Sequence, residues 1–197
     1  MIKFPMVKNI LQIGEPILEK STSQVNDYSS AETKAIISDL LDTCKENAAI
    51  SAGLAAPQIG YDKRICVCRR VDLETDSLEL QIPDDELWEI LINPKLINAS
   101  DKTSTEWEAC LSIGVGDDNI WGPVTRPKKI EVEFTTPAGE LKTLKATGYF
   151  AHVVQHEIDH LNGILFVSHI NNPENLWKLR DLNVHISEND SYPEIQE

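Results

Sequence analysis

The chemistry this chain could carry is concentrated in His156, Glu157 and His160, which spell H-E-x-x-H. Residues four apart on an α-helix lie one turn apart on the same face, so both imidazoles can reach one metal ion while Glu157 stands beside them to move a proton. Two ligands do not close a catalytic site, which takes three protein groups and keeps one position for water or substrate. His152 lies on the same stripe, yet at the helical rise its backbone is about 12 Å from that of His160, too far for one small ion to accept all three. The extended pattern H-E-x-x-H-x-x-G-x-x-H is matched as far as Gly163 and then fails at Phe166, which cannot ligate. Glu174 and Glu188 sit in ordinary polar contexts. Cys110, in Glu108-Ala109-Cys110-Leu111-Ser112, is the remaining strong candidate, because a thiolate binds divalent iron or zinc well. A buried thiol acting as a small hydrophobe is the competing account of a lone cysteine.

Such residues need rigid elements to hold them. Residues 149–161 have a helical pattern that stops at Asn162 and Gly163, so the histidines are expected on a rod. A second, amphipathic helix is expected over 31–46, from a Ser29–Glu32 capping box and the spacing of Ile36, Ile37, Leu40, Leu41 and Cys44. Residues 130–134 alternate strictly, a turn follows at 137–140 around Gly139, and 141–146 return, which predicts a β-hairpin. Short strands are expected at 64–69, with Cys66 and Cys68 on one face, and at 164–167. Asn172 and Pro173 can open a short helix bearing Leu176, Trp177 and Leu179, ahead of an acidic end expected to fray. Between Val71 and Pro94 lie eight acidic residues and no basic one, which reads as a solvated loop or insertion.

With 197 residues, 22.1 kDa and 41% hydrophobic residues, the chain suits one compact domain with a tail. A net charge of -14 disfavours a broad footprint on nucleic acid or anionic lipid. No signal-peptide pattern or membrane-length apolar run is present, so a cytoplasmic protein is expected, and Cys44, Cys66, Cys68 and Cys110 lack the pattern of a disulfide scaffold.

Three separated segments, Gly53-Leu54-Ala55-Ala56-Pro57-Gln58, Glu108-Ala109-Cys110-Leu111-Ser112 and 155–163 (QHEIDHLNG), together resemble the three motifs of peptide deformylases, in the same order. The resemblance extends from about Ile10 to Ile170. It implies an α+β fold with mainly antiparallel strands around a central helix that carries the metal motif, a catalytic domain over 1–170, and a short C-terminal helix with an acidic tail over 171–197. It also implies that Cys110, His156 and His160 hold one divalent ion, ferrous iron natively with zinc, nickel or cobalt able to replace it. The implied reaction removes the N-formyl group from the initiator methionine of nascent polypeptides, close to the ribosome, and releases formate. Glu157 would move the proton, and the Gln58 side-chain amide and the Leu111 backbone N–H would stabilise the oxyanion. Gly53, Ala109, Arg126 and His152 would lie along the substrate, Gly53 because a missing side chain lets an extended peptide approach its backbone. Asp159 is the acidic residue on the right helix to orient a histidine.

The chain departs from the family pattern at Ser51 and Ala109, where Gly is usual, at Gly114, where Pro is usual, and at His152, a position more often apolar or arginine; the segment 112–126 is also longer than usual. These departures bear on substrate affinity and the methionine pocket and leave ligands and acid in place. An H-E-x-x-H metallopeptidase with another third ligand, or a non-catalytic module that binds formylated peptides, are the competing functions.

Overall fold

The structure, a computed structural model, describes residues 6–73 and 87–196. Helix α1 (Ala31–Glu46) turns Ile36, Ile37, Leu40 and Cys44 inward at helical spacing. Its cap is Ser30, whose Oγ accepts the Thr33 N–H at 3.1 Å; the capping box expected at Ser29 is displaced by one residue because the Ser29 hydroxyl bonds Asp27 instead.

Strand β2 (Ile65–Arg69) pairs antiparallel with both β1 (Gly53–Ala55) and β3 (Trp88–Ala99). They are followed by β4 (Thr103–Ala109), β5 (Ile120–Pro127), β6 (Lys129–Thr135) and β7 (Leu141–Thr147). Helix α2 (Gly148–Leu161), β8 (Trp177–Lys178) and α3 (Leu179–Asn189) complete the order. One antiparallel sheet is ordered β1-β2-β3-β6-β7 and a second β4-β5-β8.

Alternation along β2 explains how the helices dock. Cys66 and Cys68 point to the cluster that holds Phe150, Val154, Ile158 and Leu161 of α2, whereas Ile65 and Val67 join the cluster of α1 on the opposite face. Each such large apolar side chain stabilises the fold by about 1.5–3 kcal/mol on burial. The predicted hairpin is β6 and β7, paired from Lys129↔Thr147 to Thr135↔Leu141.

Three sequence readings need correction. Of the acidic 71–94 segment, residues 74–86 lie outside those described, but Trp88 to Ile92 pair with β2: a short apolar run sits inside an acidic composition. Residues 164–167 form no strand. Ile164 N–H returns to the Asp159 carbonyl, and Phe166 opens a 3-10 turn, Phe166–His169, that carries its ring into the core. At the C-terminus the Asn172 side chain caps only a 3-10 turn, Pro173–Asn175, and the full helix is α3, which starts at Leu179. Beyond it the chain is tied down, since Asn175 exchanges two hydrogen bonds with the Gln196 backbone at 2.9 and 2.8 Å.

Candidate metal centre and its cleft

Helix α2 carries His156, Glu157 and His160, and it ends where expected: Gly163 takes φ +76°, and a Cβ there would stand 2.6 Å from the Lys20 backbone, so only glycine fits. Cys110 follows directly on β4. Across the space between strand and helix its Sγ comes within 3.2 Å of His160 Nε2, and the ligand atoms of Cys110, His156 and His160 all lie within 4.8 Å of one another.

The donor set fits a divalent ion. His156 Nδ1 is 2.9 Å from Glu108 Oε2, an acceptor that fixes the Nδ1–H tautomer and leaves Nε2 free to ligate, the usual arrangement for a ligating histidine. Beside the ligands, Glu157 Oε2 is buried without a protein partner among the described residues, as is His160 Nδ1. A buried acceptor next to a thiol and two imidazoles marks a place built to receive a further group. Burial pushes the Glu157 carboxyl up to about 7, into the range where a carboxylate can both take and return a proton near neutrality. Burial, the neighbouring His156 and Arg126 hold His160 well below the usual imidazole range.

Glu108 anchors this arrangement, and its role went unread in the sequence. Its carboxylate receives His156, His152 Nδ1 at 3.2 Å, and the Arg126 guanidinium through Nε at 2.6 Å and Nη2 at 3.0 Å. Burial disfavours its charge, but the hydrogen bonds from His152, His156 and Arg126 outweigh burial and hold the carboxyl well below the usual carboxylate range. Arg126, expected along the substrate, is buried against the carboxylates of Glu108 and Asp159 and is not among the residues that line the cleft. Its side chain is 5% exposed and reaches from β5 to Glu108 on β4 and, at 2.7 Å, to Asp159. Among the described residues Asp159 hydrogen-bonds Arg126 and His169 and not the candidate ligands, whereas Glu108 receives His156, so Glu108 is the acid that orients a ligating histidine.

The other predicted residues fall around one cleft of about 550 Å³, lined by Gly53, Gln58, Ala109, Leu111, His152, His156 and Glu157 among others. Gln58 is buried; its Oε1 accepts the Ala55 N–H at 2.8 Å, which aims Nε2 at Cys110 Sγ and Ser112 Oγ, 3.5 and 3.2 Å away. The Leu111 carbonyl is held by Gln12 Nε2 at 3.0 Å. Gly53 lies on the edge strand β1. Because Arg69 N–H donates to the Ala52 carbonyl, antiparallel alternation turns the polar groups of Gly53 to the open side. There the Gly53 carbonyl already accepts Ser51 Oγ at 2.7 Å. Gly53 also meets Glu157 directly: a Cβ on it would fall 2.5 Å from Glu157 Oε1. His152 is buried between Glu108 and Ser104, whose Oγ is 3.1 Å from its Nε2. Among the described residues, no helix is long and apolar enough to cross a membrane.

A sequence model described as polypeptide deformylase matches residues 7–176. Peptide deformylase of Natranaerobius thermophilus is 35% identical over 82% of this chain and 90% of its own length, and peptide deformylase 2 of Clostridium perfringens is 36% identical over 82% and 91%. Among solved structures, the Met-Ala-Ser-bound class I type b peptide deformylase of Acinetobacter baumannii superposes with a TM-score of 0.70 at 27% identity, covering 85% of this chain and all of that one. The Ehrlichia chaffeensis peptide deformylase gives 0.70 at 27% identity, covering 96% of this chain and 99% of that one.

Proposed function

The chain belongs to the polypeptide deformylase family, and we propose that it removes the N-formyl group from the N-terminal methionine of newly made polypeptides with Cys110, His156 and His160 holding the metal and Glu157 moving the proton. The observation that carries this assignment is the convergence of one thiol and two imidazoles beside a buried, unpartnered carboxylate. When bound, a divalent ion supplies Lewis acidity, lowering the pKa of water and polarising the formyl carbonyl. A thiolate with two imidazoles suits ferrous iron, our proposal for the native ion, and also zinc, nickel or cobalt.

Glu157 takes a proton from the attacking water and delivers it to the leaving amine, a return its elevated pKa favours. The charge that grows on the carbonyl oxygen is met by the Gln58 amide and the Leu111 backbone N–H, preorganised donors that cost no reorganisation during reaction. Gly53 offers its outward N–H to the extended peptide, and Ala109 and His152 line the cleft toward the methionine side chain. The partners are nascent chains met near the ribosome in the cytoplasm. The catalytic unit of this proposal spans 1–170 and is followed by a short C-terminal helix and acidic tail over 171–197.

The test is anaerobic purification, metal analysis and formate release from formyl-Met-Ala-Ser. We expect about one divalent ion per chain, turnover, a fall of at least about 100-fold in Glu157→Ala, and loss of the ion in Cys110→Ala. Retention of metal by Cys110→Ala, or cleavage of internal peptide bonds without formate release, refutes the assignment.

A further inference from the structure

The family match ends at residue 176, yet the chain beyond it reaches back to residues that line the cleft at two places. At one place β8 pairs with β5, Leu179 N–H donates to the Asn119 carbonyl at 2.8 Å, and Lys178 Nζ meets Asp118 at 2.9 Å, so the start of α3 is stitched to a loop of which Gly114, Val115, Gly116, Asp117 and Asn119 line the cleft. At the other, Asp190 takes φ +53° and ends α3, Asn175 clasps Gln196, and between those two points Tyr192 stacks on Trp107 with centroids 5.2 Å apart and planes 19° from parallel. Trp107 itself lines the cleft, as does Tyr149.

We propose that Tyr192 is a specificity-determining residue: stacked on Trp107, it fixes an aromatic wall of the cleft that grips the side chain following formylmethionine. The proposal rests on the deformylase reading of the same site. A tryptophan on a strand facing an open cleft keeps rotamer freedom that a ligand must quench on binding. A second ring packed against it removes that freedom beforehand. The tail is clasped at Asn175 and Gln196, so Tyr192 is delivered to Trp107 already ordered, and its half-exposed ring adds little to the core. Aromatic and apolar side chains gain most from such a wall; glycine gains nothing.

The experiment compares formyl-Met-Phe-Ser with formyl-Met-Gly-Ser in the wild type, Tyr192→Ala and Tyr192→Phe. Tyr192→Ala is expected to raise KM for the Phe peptide about threefold to tenfold, the range one aromatic pair contributes, with kcat unchanged and the Gly peptide unaffected; Tyr192→Phe keeps the ring and restores KM. Equal effects on both peptides, or none, overturn the proposal. Binding of unformylated Met-Phe-Ser and Met-Gly-Ser by calorimetry makes the same comparison without turnover. A wild type that releases no formate but still loses Met-Phe-Ser affinity on Tyr192→Ala refutes the deformylase reading and leaves the aromatic wall standing.

Discussion

Gly53→Ala separates catalysis from stability more cleanly than any change to the ligands. The added Cβ would stand 2.5 Å from Glu157 Oε1, 2.7 Å from Cγ and 2.8 Å from Cδ. The shortest of these falls short of an ordinary 3.4 Å contact by about 0.9 Å, and the atom that gives way is the end of a side chain, not backbone, so the stability cost lies near the low end of overpacking, about 1 kcal/mol. The displaced group, however, is the proton carrier. A misplacement of about 1 Å in a reacting group costs on the order of 100-fold in rate. Gly53→Ala should therefore melt only a few degrees below the wild type, keep its full complement of metal, and lose about two orders of magnitude in kcat for formyl-Met-Ala-Ser. Wild-type kcat in a folded, metal-loaded Gly53→Ala protein would refute the reasoning, as would parallel loss of metal and fold.

Glu108→Gln withdraws the charge that faces His156, His152 and Arg126; apparent metal affinity should fall about 10-fold to 100-fold, read by competition with a chromophoric chelator, and stability by about 3–5 kcal/mol, read by urea denaturation. Ser51→Gly frees the Gly53 carbonyl from the Ser51 hydroxyl, and if that acceptor then pairs with the peptide, KM for formyl-Met-Ala-Ser should drop about fivefold, a change steady-state kinetics would detect. Asp62 accepts the Ser23 backbone N–H, which with its hydroxyl and Lys20 holds the carboxyl below its ordinary value. A depressed folded-state pKa contributes stability above the unfolded value, near pH 4, that is lost as pH falls through the folded value. Asp62→Asn should accordingly narrow its stability gap to the wild type below about pH 4, measured as urea midpoints across a pH series.

Much of the frame was legible because local signals agreed with tertiary demand. Helix α2 stops at Asn162 and Gly163 because Gly163 abuts the Lys20 backbone, and the β6–β7 hairpin declares itself by alternation. The run 164–167 has strand-like composition, but Phe166 lies over His156, with centroids 6.1 Å apart, and packs with Cys110 in the core instead of joining a sheet. Burial of Arg126 was invisible for a different reason. Its partner Glu108 is set by the β4–β5 register, which pairs Ser104 with Arg126 and Glu108 with Gly122, and nothing in a linear reading separates an arginine that meets a peptide from one that crosses to a carboxylate. Gly53 was read for what it offers a substrate; its contact with Glu157 spans 104 residues of sequence and has no local signature.

The two buried glutamates show why the site can be both rigid and reactive. Glu108 spends its acceptor capacity on two imidazoles and a guanidinium, so its charge is compensated and its position over-determined. Removing one partner of such a buried network costs several kcal/mol, because the remaining charges are left unpaired. Glu157 is at least as buried yet has Oε2 unpartnered among the described residues, and burial pushes its carboxyl up to about 7. A carboxylate locked by a guanidinium could not release and regain a proton within a catalytic cycle, while an unsupported one could not hold His156 in the ligating tautomer. Packing Gly53 against Glu157 resolves what remains: the carboxyl fills the space a Cβ on Gly53 would need, so shape confines the acid while burial, not a guanidinium lock, sets its raised pKa and leaves its proton able to move.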